Sequence, residues 1–235
     1  MQYKVELHAH TAGISTCARM EVKDVADQYL AAGYSTLILT NHYVEYNFDN
    51  DMSWEESIRR YLAPIHEMQA YVGNRMTVLP GAEVRNYDTL NDYLILGADE
   101  EFFLKNRYLH RLKLKAISRL VREHGALLIQ AHPFRNGMSI TNPSLLDGVE
   151  VFNGAPGQNS RNNFAYRWAK AYGFLQTSGS DFHGLHTPIT GGILTNEPVN
   201  TSAQVVKTIR EGNYDLICTG PAAERDDMHT MPAKQ

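Results

Sequence analysis

Short apolar runs alternate with amphipathic helical stretches along most of the chain, and that alternation restricts the fold more than any other feature. Residues 3–7, 35–40, 76–84, 92–96, 126–131, 148–152, 174–177, 192–195 and 214–218 read as strands. Between them, 21–33 places Val22, Val25, Ala26, Tyr29 and Leu30 on one helical face, with Gly33 as a stop. Residues 54–72 follow Ser53, a ready N-cap. Residues 109–124 turn Leu112, Ala116, Ile117, Leu120 and Val121 inward and end at Gly125. A helix over 160–172 buries Phe164, Ala165, Trp168 and Tyr172, and 201–211 forms the last helix. Strands joined through helices pair in parallel with right-handed crossovers, and seven or eight such units favour a closed α/β barrel over an open sheet. One domain over 1–220 is expected, then a polar tail, 221–235, that carries no pattern and is loosely ordered.

Composition narrows the function classes. A net charge of -4 gives no global basic field, so any nucleic-acid contact must be local. The two cysteines, Cys17 and Cys218, make no disulfide framework, and a reduced, cytoplasmic setting is the default. No run approaches the roughly 20 apolar residues of a membrane span, and none near the start resembles a signal segment.

Metal-type side chains fall at the ends of the strands. His8 and His10 follow the first strand and His42 the second. Glu83 ends the third, Asp99 follows the fourth and His132 the fifth. Glu150 and Asn153 lie on or after the sixth, and Asp181 and His183 follow the seventh. In a parallel barrel the carboxyl ends of the strands share the face that carries the active site. His-x-His on extended chain points both imidazoles to one side, and Asp181-Phe182-His183 repeats the spacing. Nitrogen and oxygen donors together suit zinc, manganese or iron, whereas magnesium or calcium would want mostly oxygen. Glu83 has two oxygens with which to bridge two ions, and such pairs clamp the attacking and leaving oxygens of a phosphoryl displacement. Each residue alone has a plainer reading. A strand-end histidine is usually a hydrogen-bonded surface group, a carboxylate there is commonly a helix N-cap, and Gly-Ser-Asp is often only a turn. Coincidence at so many strand ends favours metal for His8, His10, Glu83, His132, Asp181 and His183. His66, His110, His124 and His229 are read as structural; His186 stays open.

The ordered segments ELHAHT, GYSTLILTNH, PGAEV, DYLILG, QAHPFR, GVEVFNG and SGSDFHG, from Glu6 to Gly184, resemble the polymerase-and-histidinol-phosphatase (PHP) family. The resemblance implies a distorted, TIM-barrel-like (β/α)7 barrel that holds two or three divalent ions and hydrolyses phosphomonoesters or phosphodiesters. It implies that His8, His10, Glu83 and Asp181 hold one ion. Glu83 then bridges to a second ion shared with His132, and His42 and His183 belong to a third. Asp181, His183 and Glu83 are the implied catalytic group. Three departures stand out. The family's Thr-Asp-His is Thr40-Asn41-His42 here. Loop 11–20 lacks the usual Asp or His and offers only Thr16 or Cys17. Cys17 has real metal-ligand chemistry, its plainer reading being a small buried hydrophobe. A histidine expected after the central strand is replaced by Asp99.

The activity expected is hydrolysis of a phosphate ester by metal-activated water. The substrate would be a small phosphorylated molecule such as histidinol phosphate, or the end of a nucleotide or oligonucleotide. Arg135, close behind His132-Pro133, is the leading phosphate contact, followed by Arg19, Arg85 and Arg161, because a guanidinium fork matches phosphate oxygens. Two alternatives stand beside it: the same fold acting on an amide or carboxylic ester, and a catalytically silent module that binds metal or phosphate. No protein partner is implied.

Overall fold

A computed structural model of the chain describes residues 1–48, 51–85 and 89–233. It begins with β1 (Tyr3–Ala9), α1 (Val22–Ala31), β2 (Tyr34–Leu39) and β3 (His42–Tyr43). Then come α2 (Trp54–Val72), β4 (Thr77–Pro80), β5 (Ala82–Arg85), β6 (Asp92–Leu96), α3 (Glu100–Lys105) and α4 (Leu114–His124). They are followed by β7 (Leu127–Gln130), β8 (Gly148–Asn153), α5 (Asn162–Tyr172) and β9 (Leu175–Gly179). The last elements are β10 (Ile193–Thr195), α6 (Ser202–Glu211), β11 (Tyr214–Leu216), α7 (Gly220–Arg225) and β12 (Met231–Pro232).

Local signals explain the boundaries. Ser53 Oγ accepts from Glu56 N–H while the Glu56 carboxylate accepts from Ser53 N–H, a reciprocal cap that starts α2 where the sequence places it. Gly125, at φ 85°, ends α4 in the left-handed region that glycine adopts without strain. The helix expected over 109–124 is instead a 3-10 turn, Leu109–Arg111, followed by α4. The interruption has a tertiary cause. The buried His110 ring stacks on Phe48 and pairs with Glu45 Oε2 at 2.8 Å, which fixes the turn before the helix begins. In α5 the buried stripe is Asn162, Ala165, Trp168 and Ala169. Phe164 and Tyr172, expected inside, are exposed and rest at the surface against Phe134 and Phe174.

The strands form two six-stranded mixed sheets, β12-β11-β10-β1-β2-β4 and β3-β5-β6-β7-β8-β9. A closed, all-parallel barrel is therefore not what the hydrogen-bonded ladders make. β1, β2 and β4 are parallel, as are β3 with β5 and β7, β8 and β9. β6 runs antiparallel to both β5 and β7, and β10, β11 and β12 are antiparallel to their neighbours. The reversal of β6 follows from its connection: residues 86–91 are too few for the crossover of a dozen or more residues that a parallel partner needs. The sheets meet where β2 passes into β3 through Thr40 and Asn41, and where β4 passes into β5 through Gly81. A Cβ at Gly81 would lie 2.8 Å from Ile38 Cγ2 and 2.9 Å from Thr40 Cγ2, so only glycine lets the strands approach there. On the opposite flank Ala9 bridges Phe182 in parallel, and His10 N–H donates to Phe182 O at 2.9 Å.

Leu7, Leu37, Ile95, Leu128 and Val151 are fully buried in one apolar cluster beneath these ends. Each such side chain stabilises the fold by about 1.5–3 kcal/mol. The stretch from Pro221, expected to be a loose tail, folds back instead. α7 buries Ala222 and Ala223, Met228 joins the core, and β12 pairs with β11. Its last two residues, Lys234 and Gln235, lie outside the described ones. Among the described residues no helix is long and apolar enough to cross a membrane.

Candidate metal centre

The ends of β1, β3, β5, β7 and β9 bring His8, His10, His42, Glu83, His132, Asp181 and His183 together. His8 and His10 Nε2 atoms are 3.1 Å apart. Asp181 Oδ1 lies 3.4 Å from the first and 3.3 Å from the second. Glu83 Oε1 is 3.5 Å from His8 Nε2 and Oε2 is 3.4 Å from His10 Nε2. All four residues are essentially inaccessible to solvent.

The other ring nitrogens are already committed. His8 Nδ1 donates to Glu150 Oε1 at 2.8 Å, and His10 Nδ1 donates to Ser15 Oγ at 3.0 Å. Both Nε2 lone pairs must then point toward the shared gap. Four donors around a divalent ion at about 2.0–2.2 Å stand roughly 3.3–3.6 Å from one another in a tetrahedron. The observed separations fall near that range, so the donor set fits an ion. Without one, burial disfavours charge on His8, but Asp181, Glu150 and Glu83 override it and hold the imidazole protonated well above its usual range. Burial together with the His183 and His42 charges keeps His10 neutral, well below that range. Burial also opposes charge on Glu83 and Asp181, yet the surrounding histidines keep both ionised, well below the usual carboxylate range. The cluster thus demands a cation, met by a proton or by a metal.

A second group gathers at β5 and β7. His132 Nε2 lies 3.0 Å from Glu83 Oε1 and 3.8 Å from Asp92 Oδ2. Buried His132 Nδ1 and Glu83 Oε2 have no well-directed hydrogen-bond partner among the described residues, although His42 Nδ1 comes within 2.8 Å of that oxygen. A third group joins His10, His42 and His183, whose donor nitrogens lie within 4.8 Å of one another. His132 at φ 29° and Asp181 at φ 50° take left-handed backbone, which costs about 1–3 kcal/mol for a residue other than glycine.

Several residues support these donors in roles that the sequence did not assign, and Glu6, Ser15 and Gly179 among them carried no signal in it. Glu150 accepts from His8 and from His132 N–H, and Asn153 Nδ2 donates to Glu150 and Asp181. Gly179 permits this closeness, because a Cβ there would meet His8 Cβ at 2.4 Å and Glu150 Oε1 at 2.6 Å. Glu6 accepts from the N–H groups of Leu7, His8 and Ser180 and from Tyr29 O–H, tying β1 to the Asp181 loop. Burial pushes its carboxyl up to about 7 despite those bonds. Asn41, standing where the family pattern has Asp, pairs with Thr11 and accepts from Ser15 Oγ, which fixes the loop beside His10. Glu150→Ala is expected to free the His8 ring. Metal affinity should fall about 10–100-fold, read by competition with a chelating indicator, with the circular dichroism spectrum retained.

Asp99 does not reach the site. Because β6 is reversed, its carboxyl end points to the opposite face, where Asp99 caps α3 through Phe102 N–H and pairs with His124. The start of β6 reaches the site instead and supplies Asp92. That carboxylate takes Arg85 at 2.7 and 2.9 Å and Arg135 at 3.1 Å, so both its oxygens are engaged and it serves the arginines before it serves a metal. Arg85 and Arg135 line a cavity of about 850 Å³ with Thr16, Cys17, Tyr46 and His186. Arg161 is spent on Phe134 O and Asn136 and does not line the cavity, nor does exposed Arg19. Cys17 is not a buried hydrophobe: it is exposed, with Sγ 3.2 Å from His42 Nε2.

No family model matches the chain, and no curated protein sequence does. Solved structures do. A two-domain protein from Bacteroides vulgatus containing a PHP-like metal-dependent phosphoesterase superposes with a TM-score of 0.65 at 14% identity, covering 92% of this chain and 64% of that one. A lesion-specific endonuclease from Pyrococcus furiosus gives 0.59 at 17%, covering 92% and 58%. An amidohydrolase from Chromobacterium violaceum, solved with sulfate and without metal, gives 0.56 at 14%, covering 93% and 99%. The chain thus spans under two thirds of the first two proteins. It has the fold of the PHP-like metal-dependent phosphoesterases, the family that its motifs resemble.

Proposed function

We propose that this chain is a metal-dependent phosphoesterase. Its first ion would sit among His8, His10, Glu83 and Asp181, and a second would be reached by Glu83 and His132. The observation that carries the reading is the convergence of four buried donors at 3.1–3.5 Å, with both histidine Nδ1 atoms already satisfied. When bound, the ions would supply a water acidic enough to ionise near neutral pH and positive charge for the phosphoryl oxygens. The rest of the work falls to the chain. Glu150 and Ser15 hold the ligand rings in one tautomer. Arg135 and Arg85, both anchored on Asp92, present guanidinium groups to a phosphate in the cavity. A cavity of about 850 Å³ suits a small phosphomonoester or a nucleotide end. A reduced, cytoplasmic setting suits the exposed Cys17 thiol.

The amidohydrolase neighbour favours a second reading, in which the same centre cleaves an amide or carboxylic ester. The two cavity arginines weigh against it, because a neutral acyl group has no use for a fork of cationic donors. The test is a panel of phosphomonoesters, nucleotides, amides and carboxylic esters, run on metal-stripped protein and after adding back manganese or zinc. Turnover is expected on phosphoesters after reconstitution alone. Arg135→Ala should raise KM about 10–100-fold, the worth of one charged hydrogen bond, with a smaller change in kcat. Faster turnover of an acyl substrate, indifferent to Arg135, would support the second reading. No turnover by the metal-loaded protein would leave a silent binding module.

A further inference from the structure

Loop 11–20 contributes a thiol to the metal face. Cys17 Sγ is 3.2 Å from His42 Nε2, and the His183 ring lines the same cavity beside them. The other nitrogens of those two rings are occupied: His42 Nδ1 lies 2.8 Å from Glu83 Oε2, and His183 Nδ1 donates to Asp181 O at 2.9 Å. Both Nε2 atoms are therefore left for the side on which the thiol stands. The loop is fixed in that position. Arg19 N–H donates to His183 O, Ala12 N–H to Met20 O, and Ser15 Oγ accepts from His42 N–H. Cys17 lines the same cavity as His42, Glu83 and His183, so the thiol faces the place where substrate and ions would meet.

We propose that Cys17, His42 and His183 form a third cation site of thiolate–imidazole type, selective for zinc. The inference rests on the reading that the neighbouring cluster holds metal. It assigns the third position a different chemistry from the first two, which are built from imidazole and carboxylate. A thiolate is a soft ligand that favours zinc over manganese or magnesium, whereas the mixed nitrogen–oxygen sets discriminate less. Three protein donors leave a fourth tetrahedral position for substrate or water. Cation binding requires the thiolate, so the Cys17 proton leaves to solvent as the ion arrives.

The test uses the full chain, stripped of metal and titrated with cobalt(II) as an optical stand-in for zinc. Wild-type protein should develop a near-ultraviolet sulfur-to-cobalt charge-transfer band. The band should be absent in Cys17→Ser and His183→Asn and kept in Cys218→Ser, whose thiol is buried elsewhere. Elemental analysis should show one fewer zinc per chain in Cys17→Ser and unchanged manganese. Iodoacetamide should alkylate Cys17 more slowly after zinc is added, with manganese giving no protection. A missing band in the wild type, or equal zinc content in Cys17→Ser, would overturn the proposal. If manganese-loaded protein still cleaves phosphoesters in that case, the phosphoesterase reading stands. If neither metal binds at all, both fall together.

Discussion

Asp181→Asn is expected to take turnover to background, a loss of at least about three orders of magnitude, or about 4 kcal/mol of transition-state stabilisation. The Asp181 Oδ1 atom stands within 3.4 Å of both His8 and His10 Nε2. An amide in its place keeps the shape and removes the charge that draws a cation into a buried site. The effect should be confined to the site. Asp181 contributes no side chain to the apolar cluster, and Asn tolerates the left-handed backbone at this position. Circular dichroism and the cooperativity of melting should therefore match the wild type, while bound metal falls. Chelation of the wild type should reproduce the loss, and manganese or zinc should restore it. An Asn variant that keeps both metal and turnover would remove Asp181 from the ligand set.

Glu83→Gln should do more damage than His42→Ala. The Glu83 carboxylate reaches His8, His10, His42 and His132, and so stands between all three groups of donors. His42 stands beside Cys17 and Glu83 at the rim. Removing the shared carboxylate should cost two ions and turnover on every phosphoester in the panel. Removing His42 should cost one ion and a part of the rate. Metal content per chain decides the matter: Glu83→Gln with full occupancy, beside a depleted His42→Ala, would reverse the assignment of the bridge.

The gathering of the candidate donors was legible wherever strand direction was. β1, β2 and β4 run parallel, as do β3 with β5 and β7, β8 and β9, and His8, His10, His42, Glu83, His132, Asp181 and His183 meet because these strands bring them to one face. Asp99 and Asp92 exchange places for the same reason. A reading that takes every strand as parallel puts the residue after β6 at the site. Yet 86–91 is a connection too short for a helical crossover, and that length was the available signal that β6 turns back. Glu150 was visible at a strand end, but its role was not. Whether a strand carboxylate binds a metal or holds a histidine depends on which face it takes and what lies 3 Å away. Glu6 left still less trace, since an acid within a strand declares its partners only when the fold delivers Ser180 and Tyr29. The closed barrel was overread for a related reason. Alternation records how many units there are, whereas a break at Gly81 depends on the crowding of Ile38 and Thr40 around it.

His132 and Asp181 hold their donors on backbone that glycine would adopt at less cost. Folding therefore presses against two residues on which the proposed turnover would depend. A lineage of this chain released from catalysis would gain stability by drifting toward glycine or asparagine at these two positions, before any change in the core. The same two positions are where a search for thermostable variants, guided by melting temperature alone, would most readily disarm the protein.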